Sequence, residues 1–127
     1  MNINFSRNLA VVFGVVTPAL ETIRRWSTWQ EDPLSFFDDY ILGGILLFGA
    51  WQVTRNAVVG QKFLVVGWGF ALGMVYASID YQLQQIRAGA IDPAPISTEW
   101  VAVIKGLGFL LVSLGLIASL RKVEVGR

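Results

Sequence analysis

Cysteine and histidine are both missing from this 127-residue chain, and methionine occurs only twice. Without cysteine there is no disulfide, thiolate nucleophile, zinc knuckle or iron–sulfur ligand. The redox character of the compartment therefore leaves no mark in the sequence. Lacking histidine, the chain has no imidazole metal site, bis-histidine haem or histidine general base. Two methionines are too few for a soft-metal pathway. Charge is also scarce, at 15% of residues against roughly 25% in soluble domains, while hydrophobic residues make up 54%. The net charge of +1 comes with no basic stripe, which argues against nucleic acid as a partner.

What is present is four apolar stretches, at about residues 3–23, 40–59, 63–83 and 100–120. Each approaches the ~20 residues that cross ~30 Å of hydrocarbon, and each is apolar all round where a soluble helix would be striped. The first stretch, with a lone Arg7, an internal Pro18 and the charged exit Glu21–Arg25, fits a retained span better than a cleaved leader. Residues 1–127 read as one four-span membrane domain. The connection Val59-Gly60-Gln61-Lys62 makes spans two and three antiparallel neighbours, and longer loops occupy about 26–37 and 87–98.

The charges divide by end. Glu21, Glu31, Asp32, Asp38, Asp39, Asp80, Asp92 and Glu99 fall on one side of the four spans. Arg7, Arg55, Lys62, Arg121, Lys122 and Arg127 fall on the other, where Glu124 is the sole acid. Lys/Arg bias sets orientation, and these six basic residues outnumber the three of the acidic-side loops, Arg24, Arg25 and Arg87. Both termini are thus expected in the cytoplasm. Trp26, Trp29, Tyr40, Tyr81 and Trp100 would form an aromatic belt at the opposite interface.

Helix association in lipid relies on small residues that let backbones approach. Seams at three- and four-residue spacing run through Gly14 in the first span, Gly69 and Gly73 in the third, and Gly108 and Gly115 in the fourth. In the second span Gly49 shares a face with the polar side chains Gln52 and Asn56. These glycines are expected to serve helix packing in a left-handed bundle.

Four charged residues form a candidate intramembrane cluster: Glu21, Arg24, Asp80 and Lys105. Asp80 precedes the exit of the third span, and Lys105 follows the entry of the fourth at similar depth, so an Asp80–Lys105 ion pair is expected. Glu21 has Arg24 and Arg25 at helical spacing. The plain reading of such pairs is neutralisation and helix register; the functional one is a carboxylate in an outer vestibule that binds a cation or proton. Asp38 and Asp39 are expected to cap the second span, and Trp51 and Trp68 to pack on one another.

No glycine-rich phosphate loop, nucleophilic serine elbow or metal-ligand spacing occurs. The sequence therefore predicts an all-α, four-helix antiparallel membrane bundle that is not an enzyme and needs no cofactor or metal. Two functions fit: an accessory, assembly or interaction subunit of a bacterial-type inner membrane, or a small oligomeric channel or cation-coupled transporter. Expected partners are membrane lipids together with further copies of the chain or a larger membrane complex.

Overall fold

A computed structural model of the chain describes residues 2–92 and 96–123. The described residues form four long helices and one short 3-10 turn: α1 Ile3–Arg25, the turn Trp29–Glu31, α2 Pro33–Arg55, α3 Ala57–Arg87 and α4 Thr98–Ser119. All four helices are long and apolar enough to cross a membrane. The chain is a multi-pass integral membrane protein, folded as an antiparallel four-helix bundle in which each helix packs on its sequence neighbour and α1 closes against α4.

Helix starts are set by short polar caps. Asn2 accepts from the Phe5 amide, Asp32 from the Ser35 amide with Pro33 in the first turn, and Ser97 from the Trp100 amide. The second helix therefore begins seven residues before the expected position 40. Asp38 and Asp39 lie within α2 and cap nothing, because Asp32 and Pro33 already supply the start.

The α2–α3 connection is likewise not where the glycine suggested. It consists of Asn56 alone, extended at φ −154° and ψ 104°. The Asn56 amide donates to the Gln52 carbonyl at 2.7 Å, closing α2, while its side-chain oxygen accepts from Val58 and Val59 to open α3. Residues 59–62 are helical. Gly60 is a packing notch: any side chain there would run into the Val53 backbone directly opposite. At the far end of α3, Gly89 adopts φ +73° and its amide reaches the Ile86 carbonyl, the left-handed stop that favours glycine.

The core is apolar and centred on Trp68, fully buried among Ala10, Leu42, Leu46, Leu64, Ala71 and Val112. Its indole N–H donates to the Ser6 hydroxyl at 2.8 Å, and that hydroxyl donates to the Gly115 carbonyl at 3.0 Å. Phe13 meets the indole edge-on with ring centroids 5.6 Å apart. Trp51 points away, against Phe48 and under the Arg55 guanidinium, so the expected Trp51–Trp68 contact does not form.

The glycines sort by which face turns inward. Side chains of Leu47, Leu64 and Trp68 fill the notches at Gly14, Gly49 and Gly115 respectively. Gly43 and Gly67, absent from the expected seams, also make close contacts: a Cβ at Gly43 would lie 2.6 Å from the Gly14 carbonyl oxygen. That carbonyl lacks its usual helical donor because Pro18, four residues on, has no amide hydrogen. Gly69, Gly73 and Gly108 face open space and contribute nothing to packing within the chain. Two residues turn a helix by about 200°, so Gly67 and Gly69 cannot both face inward, and Gly67 is the one that does.

A Cβ at Gly115 would fall 2.5 Å from the Trp68 ring. Gly115→Leu is therefore expected to destabilise the bundle by about 1–3 kcal/mol. Gly108→Leu should stay within about 0.5 kcal/mol. Unfolding in a denaturing-detergent titration, followed by tryptophan fluorescence, measures both; equal losses would contradict the inward and outward assignment.

Candidate functional site: a polar cluster at one end of the bundle

Glu21, Arg24 and Arg25 sit at helical spacings of three and four, which places their side chains together at the end of α1. Arg24 donates to Glu21 at 3.2 Å, and Arg25 to the other Glu21 oxygen at 3.3 Å. Arg24 also grips Asp92 of the α3–α4 loop with two parallel bonds, Nε to Oδ1 at 3.0 Å and Nη2 to Oδ2 at 2.8 Å. This planar fork suits guanidinium and carboxylate geometry and would not be reproduced by lysine. The Asp92 side chain is only 3% exposed, Glu21 13% and Arg24 19%.

The network continues in both directions. Arg25 donates to the Ser35 hydroxyl at 3.0 Å and the Asp32 carbonyl at 3.3 Å, tying α1 to the start of α2. The Asp92 amide donates to the Thr98 hydroxyl, and the Gln82 amide group donates to the Thr98 carbonyl at 3.4 Å. Lys105 of α4 then donates to the Gln82 side-chain oxygen at 3.0 Å. Asp39, from the second turn of α2, lies within electrostatic reach of Glu21, Arg24 and Lys105. Every helix thus contributes to one cluster, in which Glu21, Asp39 and Asp92 balance Arg24, Arg25 and Lys105.

Of the four charges expected together, Glu21, Arg24 and Lys105 are in this cluster and Asp80 is not. The expected Asp80–Lys105 pair is replaced by Lys105–Gln82, while Asp80 is exposed and accepts from Gln84 one turn on at 2.9 Å. Gln82, 1% exposed, is the residue of α3 that faces inward at this depth. It continues the inward seam Leu64, Trp68, Ala71, Val75, Ser78, Gln82, whereas Asp80 extends the outward seam of Gly69 and Gly73. Tracing the seam through Trp68 would have found it. Asp92 carries no such periodic mark, since it lies in a loop.

Gln52 and Asn56 do not form a polar face. Gln52 is half-buried, and Asn56 is the exposed turn residue between α2 and α3. A shallow cavity of about 380 Å³ opens beside Asp92, walled by Ile86, Ile91, Ile96 and Thr98. Among the described residues, no group of three His, Cys, Asp or Glu side chains is placed to hold a metal ion.

Chemically the cluster joins helices through charge-assisted hydrogen bonds. Arg24→Gln would remove the two-bond fork from the buried Asp92 carboxylate and leave Glu21 with Arg25, and a loss of about 3 kcal/mol is expected. Asp80→Asn, at an exposed position, should change stability by no more than about 0.5 kcal/mol. Thermal unfolding of the two variants in one detergent distinguishes them; a D80N loss as large as that of R24Q would refute the placement of Asp80. Comparison with protein-family models, curated protein sequences and solved structures finds no match to this chain.

Proposed function

We propose that the chain is a non-catalytic accessory or assembly subunit of a bacterial-type inner membrane, with both termini in the cytoplasm. The carrying observation is that the ion pairs of its charged cluster, Arg24 with Glu21 and Asp92 and Arg25 with Glu21, close on one another. Three carboxylates face three cations, and Arg24 spends its donors on Glu21 and Asp92. Below that cluster, Leu42, Leu46, Leu64, Trp68 and Val112 fill the bundle centre with fully buried side chains. Among the described residues these side chains close the centre of a single copy with apolar groups. Its broad lipid-facing surface, including Val12, Val15, Val66, Tyr76, Leu107 and Leu110, is what it presents to other membrane segments.

One observation favours the alternative, a small oligomeric channel or cation-coupled transporter. Asp39 sits in the cluster without a hydrogen bond or ion pair of its own among the described residues, and a carboxylate so placed suits a cation or proton.

The readings separate in a reconstituted flux assay with alkali cations and a proton gradient, run beside Asp39→Asn and Glu21→Gln proteins. The accessory reading expects no flux above empty vesicles and recovery of the tagged chain in a larger membrane complex. Flux abolished by D39N would overturn it. A C-terminal reporter active only outside the cytoplasm would separately overturn the orientation.

A further inference from the structure

The two ends of the bundle treat charge differently. At the end where α1 starts and α4 stops lie Arg7, Arg55, Lys62, Arg121 and Lys122, carried in or just beyond all four helices. Among the described residues none of the five pairs with a carboxylate; the three ion pairs all lie at the other end. Arg7 spends two donors on the neutral Asn8 amide oxygen, and the Arg55 guanidinium lies 5.0 Å from the Trp51 ring centroid. Helix-dipole compensation explains Arg55, Arg121 and Lys122, which follow or end helices. It does not explain Arg7 and Lys62, which lie near the positive starts of α1 and α3.

At this end is a cavity of about 520 Å³, walled by Asn2, Ile3 and Asn4 of the α1 start, Ala57 of the α3 start, and Lys122 and Val123 after α4, with Lys122 its one charged lining residue among those described. The Gln61 side chain donates to the Ser119 and Arg121 carbonyls at 2.8 Å each, holding the end of α4 against α3. Asn2 and Asn56 occupy amides of the two helix starts, so contacts to an incoming anion fall to the side-chain cations. Beside the cavity the surface turns apolar, with Phe5, Val58 and Val59 each partly exposed.

We infer that this end seats the headgroup of an anionic phospholipid, its phosphate in the cavity against Lys122 and its acyl chains along the apolar flank of α1 and α3. Charge complementarity selects an anion, because among the described residues none of these five cations is paired with a carboxylate. The adjoining apolar wall selects an amphipathic anion over free phosphate. Basic pockets between spans on one side of a membrane hold lipid headgroups by the same forces. The inference is independent of the accessory reading, since a transporter would carry the same seat.

Native mass spectrometry of the full chain, titrated with phosphatidylglycerol or phosphatidylcholine of matched acyl chains, tests it. Phosphatidylglycerol adducts are expected at concentrations about tenfold or more below those for phosphatidylcholine. Each juxtamembrane cation contributes about fivefold, so Arg121→Gln with Lys122→Gln should bring the two lipids close to parity. Arg87→Gln, at the opposite end, should leave the preference unchanged. Should the R121Q/K122Q protein fail to fold, Arg55→Gln with Lys62→Gln carries the same expectation. Equal binding of both lipids, an equal loss in R87Q, or displacement of phosphatidylglycerol by equimolar inorganic phosphate would each overturn the inference.

Discussion

Burying the Trp68 indole is the constraint around which the helices are arranged. A tryptophan at mid-bundle needs a large recess and a partner for its N–H, because an unsatisfied donor in hydrocarbon costs several kcal/mol. Gly115 provides the recess, Ser6 accepts the hydrogen bond, and the Gly115 carbonyl accepts from Ser6 in turn. Three helices are thereby fixed in rotation and height: α3 by the indole, α1 by Ser6 and Phe13, and α4 by Gly115. α2 is then drawn in through glycine crossings, with Gly43 against the Gly14 backbone and Gly49 against Leu64. In lipid, where apolar burial gives no net drive between helices, such close contacts supply the attraction.

With rotation settled at the centre, the ends are left to manage charge, and they do so oppositely. At the acidic end the dominant acid–base contacts are internal, through the fork between Arg24 and Asp92 and the two arginines on Glu21. The basic end turns its cations outward. A difference visible as a plain division of Lys and Arg from Asp and Glu along the chain is thus two kinds of electrostatics. One end draws its helices together, and the other faces whatever anions surround it.

The sequence made the number of spans and their antiparallel order legible because apolar length is a strong constraint in a bilayer. It was less informative about boundaries. Asp38 and Asp39 look like a helix entrance only if an acid must lie outside a span; both instead lie inside α2, Asp39 within electrostatic reach of acids and bases from its neighbours. Gly60 looked like a turn because glycine breaks helices, yet it is kept for its missing side chain, while Asn56 makes the turn. Small-residue spacing picked out the Gly69–Gly73 face of α3, which turns outward, so Asp80 took the place of Gln82. Trp68 held the answer, since so large a side chain with a polar N–H fixes the face it lies on. The Arg24–Asp92 pairing spans 68 residues and ends in a loop, where no periodicity could announce it.

These restraints bear on how a pathway could arise at all. At the basic end a single residue, Asn56, links α2 to α3, and Gln61 ties α3 to the last carbonyls of α4. At the acidic end Arg24 and Arg25 join α1 to the α3–α4 loop and to the start of α2. Splaying the helices enough to admit water would break ties at both ends and expose the Trp68 N–H. A conformational change of that kind sacrifices the contacts that define the fold. A pathway through a single copy would therefore cost the Trp68 hydrogen bond and the Arg24–Asp92 fork together.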